Sequence, residues 1–524
     1  MRLSNGDLLR RAGRGFWRVV QITLFSVLVL ATRCANYPDV FVDGKVYFVD
    51  ADCYSRMTRA RIVSDHPGTI VRQQDFENYP DGINPHTTAP LDYLIVALAT
   101  LLRPFTAQPL DLAGAVVSPL LALAGGWFLW WWSRRFSTAG RCVLLLVYAL
   151  SGILAHGTAL GRPDQQSLLL FLLFLALAAE WQLQESASRG WSVLSGLSWG
   201  LALWVSLYEP LILLCGLLLF SAFSAPARLL ASERLVGWWV FLGTVLLAAA
   251  VERRWPEWPG SEPFFASWSA TIGELRGVGL TSSLWWHWLG GLLLVGPVLL
   301  TLALRRGRLG WPFLGLLLLC FGLTLWQARW GYFCAAIFLF TIPAQLSVVR
   351  RGWLAGGVVI LALLPFSQFW DAQLWPNEEA LVRRIADRRE MVAWRAAASA
   401  LASKERAPIL APWWLAPATA YWSGQPVVAG SSHESLPGIV ATARFFLARS
   451  PAEAAEILQR RPVKWVLAAN ADRVVANSAA ILGQTVPEQS LAWTLDLSPS
   501  QAPNFLVLTG QNEACKVYQT KDLP

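Results

Sequence analysis

The chain has 524 residues, of which 55% are hydrophobic and only 15% are charged. Soluble proteins of this length carry about a quarter charged residues, so the composition excludes an ordinary soluble enzyme. The net charge is +9, but the arginines lie between apolar runs, and no basic-aromatic patch or reader motif accompanies them. This pattern argues against nucleic-acid binding and fits the positive-inside bias of membrane proteins.

The N-terminal segment combines several arginines with the apolar run 22–31, and no clean small-x-small cleavage site follows. This predicts an uncleaved first helix whose basic flank is cytoplasmic. About eleven apolar runs have the length needed to cross ~30 Å of hydrocarbon. The predicted spans are 16–32, 111–132, 139–156, 165–182, 191–207, 209–224, 235–251, 284–304, 310–327, 332–348 and 353–370.

Arginines between these spans alternate in density, which places the odd-numbered connections outside. The chain is therefore predicted to be a multi-pass protein of the inner or plasma membrane, with a cytoplasmic N-terminus and an extracytoplasmic C-terminal region. The domain prediction is a transmembrane domain, 1–370, with external loops 33–110 and 252–283, followed by a C-terminal α/β domain, 371–524.

The three external segments differ in character. The first contains an apolar stretch, 91–102, that is short for a span and is predicted to lie along the membrane surface. Loop 252–283, rich in Pro, Gly, Glu and Trp, is typical of a mobile loop. The last is predicted to hold a helix at 378–404 and strands at 409–411, 427–429, 465–468 and 505–508.

Three acidic motifs fall on the external side. Asp52 follows the first span in Val-Asp-Ala-Asp-Cys, Asp164 precedes a span in Gly-Arg-Pro-Asp-Gln-Gln, and Glu274 ends Thr-Ile-Gly-Glu. Carboxylate oxygens suit Mg²⁺ or Mn²⁺. The alternative is ordinary helix capping by the aspartates and a solvated loop glutamate. Cys34 and Cys53 share the first loop, and whether they pair is left open because spacing does not fix their distance.

Two further external features have both a functional and a structural interpretation. Arg329 follows a span against the positive-inside bias, so its planar fork is a candidate phosphate ligand or a snorkelling anchor. Trp413 and Trp414 offer a stacking surface for a peptide or sugar, or form a core aromatic pair.

In order and sidedness, these segments resemble the catalytic subunit of oligosaccharyltransferase, a GT-C membrane glycosyltransferase that uses lipid-linked sugar donors. The resemblance covers most of the chain. The segments that carry it are Asp52-Cys53-Tyr54-Ser55-Arg56, Tyr79-Pro80-Asp81-Gly82, Ala89-Pro90-Leu91-Asp92-Tyr93, Asp164-Gln165-Gln166, Thr271-Ile272-Gly273-Glu274, Arg329-Trp330-Gly331-Tyr332 and Trp413-Trp414.

The resemblance implies an α-helical GT-C fold and transfer of a sugar or oligosaccharide from a polyprenyl-(pyro)phosphate donor on the extracytoplasmic face. Its implied catalytic residues are Asp52, Asp164 and Glu274. The implied ligands of Mg²⁺ or Mn²⁺ are Asp52, Asp164, Gln166 and Glu274, and the implied substrate-binding residues are Arg329, Tyr332, Trp413 and Trp414.

One departure affects the acceptor. Leu415 stands where the family's Trp-Trp-Asp motif has an aspartate that reads the sequon hydroxyl, and leucine cannot accept that hydrogen bond. The acceptor is therefore left open as a protein, a glycan or a lipid. The alternatives in other classes are a transporter or flippase of lipid-linked substrates, which the lack of charged residues deep in the predicted spans disfavours, and a non-catalytic GT-C relative.

Overall fold

Helices dominate the computed structural model, which describes residues 5–254, 262–349, 351–403 and 405–523. The apolar runs fold as helices because backbone groups in hydrocarbon must be satisfied within the segment. The helices of the first 374 residues are α1 (Asn5–Arg33), α2 (Tyr37–Val40), α3 (Ala51–Asp65), α4 (Ala89–Leu102), α5 (Pro109–Trp132), α6 (Thr138–Leu150), α7 (Gly152–His156), α8 (Gln165–Glu185), α9 (Arg189–Val205), α10 (Tyr208–Ser224), α11 (Pro226–Leu229), α12 (Ser232–Glu252), α13 (Phe265–Ser269), α14 (Leu284–Leu289), α15 (Leu292–Arg305), α16 (Trp311–Trp326), α17 (Gly331–Ser347) and α18 (Gly352–Leu374).

Six of the described helices are long and apolar enough to cross a membrane, and five shorter helices are also apolar. The prediction of a helical multi-pass membrane protein is confirmed at this level, while the count of about eleven spans and the sidedness of the termini stay predictions. Two predicted spans are interrupted. The break at Gly290 has a steric cause: its φ is +72°, and a Cβ there would lie 2.3 Å from the Ala362 carbonyl of α18.

One charged pair lies within the helix bundle. Glu180, inside the predicted span 165–182, forms an ion pair with Arg234 at the start of α12, with 2.7 Å between the charged atoms. Both side chains are buried. Glu180 lies two residues from the end of that predicted span, so the expectation that no charge lies deep in a span stays a prediction. A carboxylate paired between α8 and α12 avoids the cost of an isolated one.

The first loop, 33–110, which is predicted to be external, is built on α3 and α4. These helices follow a short hairpin of β1 (Phe41–Val42) and β2 (Lys45–Val46). Arg56 and Arg59 of α3 contact the carboxylate of Asp92 of α4 at 2.8 and 2.7 Å. All three are buried, and both carboxylate oxygens are occupied. This pairing fixes α3 relative to α4 and so fixes the start of α3, where the acidic motif lies.

The C-terminal region contains helices around a four-stranded sheet of order β3-β4-β6-β5. β3 and β4 are parallel, and the remaining pairs are antiparallel. The 427–429 segment forms only a bridge to β3, and β6 was not predicted. The elements are α19 (Glu378–Ala400), β3 (Ile409–Leu410), α20 (Ala416–Ser423), α21 (Leu436–Leu447), α22 (Pro451–Arg460), β4 (Trp465–Ala468), α23 (Ala471–Ile481), α24 (Leu491–Leu497), β5 (Leu506–Gln511) and β6 (Lys516–Thr520).

Helix α19 ends at Ala400, before the predicted end of that helix, and Lys404 lies outside the described residues. The seven cysteines are free thiols, so Cys34 and Cys53 are not joined. The domain boundary at 370/371 stays a prediction, although α18 ends at Leu374 and α19 begins only at Glu378.

The two predicted external loops, 33–110 and 252–283, contact the C-terminal region. The Val427 N–H donates to the Phe76 carbonyl at 2.9 Å, and the Tyr79 N–H donates back to the Val427 carbonyl at 3.0 Å. In loop 252–283, of which residues 255–261 lie outside the described part, the Ser267 hydroxyl donates to the Ile481 carbonyl at 2.6 Å. Both loops therefore contact the C-terminal region directly.

Candidate active site

Asp52 lies in the first turn of α3, and Asp50 immediately precedes this helix. The Asp50 carboxylate accepts from the Cys53 N–H at 3.0 Å, which is the N-cap hydrogen bond. The capping explanation considered for this motif therefore applies to Asp50 and leaves Asp52 available. The Asp52 side chain is exposed and interacts with the Ser431 side chain of the C-terminal region. The surroundings of Asp52, Asp164, Glu274 and Arg329 are called the cleft below.

Asp164 is the N-cap of α8, where its carboxylate accepts from the Gln165 N–H at 2.6 Å. The cap uses only one oxygen of Asp164. The second oxygen lies 3.5 Å from Arg162, so Asp164 can cap the helix and also belong to the site. Arg162 also contacts the Asp50 carboxylate at 3.2 Å. One buried guanidinium thus bridges the starts of α3 and α8, which explains how two motifs more than 100 residues apart come together.

Glu274 lies in a 3₁₀ turn, 273–275, of the second loop, 252–283. Two backbone hydrogen bonds attach this loop to the end of α16: Ala328 N–H to the Arg276 carbonyl at 2.7 Å, and Val278 N–H to the Thr324 carbonyl at 3.2 Å. Glu274 consequently interacts electrostatically with Arg329 and with Asp164. The structure brings all three predicted acidic residues into one electrostatic cluster.

Arg329 is held by an ion pair and is not a free snorkelling anchor. Its guanidinium contacts the Glu209 carboxylate at 2.7 Å, and the Ser206 hydroxyl donates to the other Glu209 oxygen at 2.5 Å. Glu209 is buried, whereas the Arg329 side chain keeps 22% of its exposure. The fork is therefore fixed on one side and accessible on the other, which suits a phosphate ligand.

Negative charge is in excess in this cluster, and the pKa directions reflect it. Burial in the cleft, followed by the Asp50 and Asp164 carboxylates, raises the pKa of Asp52. Because the Asp52 side chain is accessible to water, the crowding of like charges by Asp50 and Asp164 accounts for its raised pKa. Burial likewise raises the pKa of Asp164 and of Glu274, and Arg162 and Arg329 respectively offset part of it.

The donor set is one of hard oxygens, which fits Mg²⁺ or Mn²⁺. Gln166 lies against Asp164, and its amide nitrogen donates to both carboxylate oxygens when the amide is turned toward them. Among the described residues, however, Asp52, Asp164 and Glu274 are not a group whose ligand atoms all lie within 4.8 Å of one another. Their joint role as metal ligands stays a prediction.

Tyr332 belongs to a hydrogen-bonded chain that leads to the acidic cluster. Its hydroxyl lies 2.7 Å from Nδ1 of His156, and Arg162 lies 3.2 Å from Nε2 of the same ring. Since the Arg162 guanidinium only donates, Nε2 of His156 accepts and Nδ1 donates to Tyr332. The Tyr332 hydroxyl hydrogen is then free to be donated elsewhere.

The paired tryptophans lie in the turn before α20 and are partly buried in a C-terminal core cluster. The Trp413 indole N–H donates to the Asn477 amide oxygen at 2.7 Å, and its ring packs edge-on against Trp268 at 6.4 Å. Trp414 lies under the Arg473 guanidinium at 4.9 Å. Leu415 is 6% exposed. The position that holds aspartate in the resembled motif is a core position in this chain.

The sequence did not single out several residues of the cleft. Arg162 was quoted only as part of the Asp164 motif, and Ser431 is one of many loop serines. Glu209 gave a usable signal, because an acidic residue at the start of an apolar run is costly unless paired. His86, His433 and Glu434 form a further cluster beside these groups, since His86 interacts electrostatically with both Asp52 and Arg329.

Comparison with known proteins identifies the fold of the chain. No protein-family model matches the chain, and no curated protein matches it by sequence. An archaeal oligosaccharyltransferase, AglB from Archaeoglobus fulgidus, solved with an inhibitory peptide and a dolichol-phosphate, superposes with a TM-score of 0.68 at 15% identity, over 89% of this chain and 71% of AglB. ArnT from Cupriavidus metallidurans in the apo state superposes with a TM-score of 0.58 at 13% identity, over 97% of this chain and 98% of ArnT.

The chain has the GT-C fold. The resemblance inferred from the motifs is thereby confirmed at the level of architecture. Identities of 13 to 15% carry the fold alone, so the donor, the acceptor and the residue roles rest on the geometry of the cleft.

Proposed function

We propose that this protein is a glycosyltransferase that moves a sugar or oligosaccharide from a polyprenyl-phosphate or polyprenyl-pyrophosphate donor to an acceptor on the extracytoplasmic face. The observation that carries the proposal is a single cleft in which an excess of carboxylates faces an accessible arginine held by Glu209. The GT-C fold supports it, because AglB was solved with a dolichol-phosphate and ArnT with undecaprenyl phosphate.

Arg329 would bind the phosphate of the donor through its exposed edge, while Glu209 keeps the guanidinium in place. Negative charge develops on the leaving phosphate during transfer, so a preorganised cation there lowers the barrier without reorganisation. The Tyr332 hydroxyl, whose acceptor side is occupied by His156, would donate a second hydrogen bond on the same side of the cleft.

Asp52 would position or deprotonate the acceptor nucleophile, because it caps no helix and is exposed, whereas Glu274 is half-buried. Asp52, Asp164, Gln166 and Glu274 would hold Mg²⁺ or Mn²⁺, which supplies Lewis-acid stabilisation of phosphate oxygens when bound. Arg162 would keep the Asp50 and Asp164 carboxylates oriented toward that position.

The acceptor is proposed to be something other than a classical sequon peptide. Leu415 is buried and has no acceptor oxygen, and the Trp413 N–H is already used by Asn477. A glycan or lipid hydroxyl requires neither of these contacts.

The test replaces Asp52 by asparagine, which keeps the shape and removes the charge. Transfer is followed in membranes as loss of labelled sugar from the polyprenyl fraction, and Asp52→Asn should lower the rate by about 100-fold or more. Asp65→Asn is the matched control, since Asp65 is exposed at the far end of the same helix and should leave the rate unchanged. Full activity of Asp52→Asn would show that the assignment is wrong.

A further inference from the structure

A second group of possible ligands lies beside the acidic cluster and has no part in the proposed transfer. It consists of His86, in the first external loop, with His433 and Glu434 of the C-terminal region. One ligand atom of each residue lies within 4.8 Å of the others. Among the described residues this is the group of three or more His, Cys, Asp and Glu side chains that meets this separation.

The carboxylate of Glu434 is the centre of the group. It accepts from Nδ1 of His86 at 2.9 Å and from the His86 backbone N–H at 2.7 Å, and its other oxygen lies 3.5 Å from Nδ1 of His433. The Glu434 side chain is 1% exposed. Burial alone would raise its pKa, but the two neighbouring imidazoles hold the pKa well below its ordinary value, so the group contains a buried carboxylate.

The two imidazoles are arranged as a pair. Their rings stack with centroids 5.4 Å apart and an interplanar angle of 27°. Two protonated rings at this separation would repel each other with only one carboxylate between them. A divalent cation bound in place of the shared protons would satisfy both nitrogens and the carboxylate together.

We infer that His86, His433 and Glu434 form a second cation site, for a borderline-soft divalent ion such as Zn²⁺, separate from the oxygen-only acidic cluster. Two imidazole nitrogens and one carboxylate oxygen are the ligand types that Zn²⁺ takes in proteins, and three protein ligands leave a fourth position open. Mg²⁺ does not favour nitrogen ligands, so the two clusters would select different metals.

The position of this site gives the ion a structural consequence. His86 lies three residues before α4, and Glu434 lies three residues after Ser431, whose side chain interacts with Asp52. An ion at this point would fasten the first loop to the C-terminal region next to the cleft. The inference does not depend on the proposed transferase activity, because binding can be measured whether or not a sugar is transferred.

The test uses the full-length protein in detergent, stripped with EDTA and then held in saturating Mg²⁺ to occupy the acidic cluster. Zn²⁺ binding is measured by titration calorimetry, and Co²⁺ is added as a spectroscopic probe of nitrogen coordination. We expect one equivalent of Zn²⁺ to bind. His86→Gln and His433→Gln should each weaken binding by about 10- to 100-fold or more, whereas His66→Gln, at an exposed position of the same loop, should not.

Asp52→Asn separates the two sites, because it should retain Zn²⁺ binding even if it abolishes transfer. The inference is overturned if the wild type binds no more Zn²⁺ than the His86→Gln and His433→Gln variants do. It is also overturned if those two variants still bind Zn²⁺ and Asp52→Asn does not. Size-exclusion profiles establish that each variant is folded, and Glu434→Gln gives an independent variant with the same expected loss.

Discussion

The acidic cleft and the paired-tryptophan segment lie on the same side of the proposed membrane plane but use their polar groups differently. In the cleft, Asp52 and Arg329 keep accessible faces after their neighbours have fixed them. In the tryptophan segment, the Trp413 N–H is occupied by Asn477 and Leu415 is buried in the core.

This difference indicates which groups can still bind a ligand. A group that is positioned but not saturated retains the capacity to bind a ligand, whereas a group whose hydrogen-bond capacity is spent within the fold contributes stability instead. We therefore interpret the cleft as the part that binds and transforms ligands, and the tryptophan segment as a part that stabilises the fold.

The largest effect is expected at Arg329. Arg329→Ala removes the cation proposed to stabilise the leaving phosphate and leaves Glu209 buried without its partner, so the transfer rate should fall by about 100- to 1000-fold. Arg329→Lys should recover part of it, because lysine supplies a charge but no planar fork. Arg276→Ala, at an exposed position of the neighbouring loop 252–283, is the control. Transfer and undecaprenyl-phosphate binding are the measurements, and unchanged values for both in Arg329→Ala would contradict the prediction.

At Leu415 we expect a substitution to affect the stability of the fold and not the transfer of sugar. Restoring the motif residue with Leu415→Asp would bury a carboxylate without a partner, so the free energy of unfolding should fall by about 3 kcal/mol or more. Leu415→Met, which conserves volume, should cost less than about 1.5 kcal/mol. Thermal unfolding in detergent checks both. A stable Leu415→Asp variant that glycosylates Asn-x-Ser/Thr peptides would show that the segment still reads acceptors.

Much of the fold could be predicted from the sequence because hydrophobic length dictates helices in a membrane. The strand Trp465–Ala468 was predicted at its observed bounds. What could not be predicted was tertiary. The break at Gly290 depends on the approach of α18, and the strand Lys516–Thr520 has its identity from pairing with two neighbours.

The site divides in the same way. Sidedness and motif order indicated that Asp52, Asp164 and Glu274 share one face, and the structure brings them into electrostatic contact. Pairing could not be read from the chain: Arg162 bridges two carboxylates, and Glu434 meets His86 across nearly 350 positions. Such contacts depend on how the loops dock, and no local pattern encodes them.

The smallest expected effect lies at Glu77. This residue lies where the first loop contacts the C-terminal region, a contact that we call the seam. This carboxyl is buried beside Ser55 and Ser435, and burial raises its pKa to about 7 from an ordinary 4.5. A raised folded-state pKa means that the folded protein binds the proton more tightly than the unfolded chain does. Stability from this group is therefore complete below about pH 4.5 and is lost as the pH rises through 7, by up to about 3 kcal/mol.

Glu77→Gln mimics the neutral carboxyl, so it should unfold at a higher temperature than the wild type at pH 8 and show a flatter dependence between pH 5 and pH 8. Glu405→Gln, at a side chain that is 86% exposed, should follow the wild type. If the wild-type midpoint does not fall over this range, or if Glu77→Gln falls equally, the seam is not held by a protonated carboxyl. The cleft and the C-terminal region would then be joined by the backbone bonds of Phe76 and Tyr79 to Val427, and their coupling would be insensitive to pH.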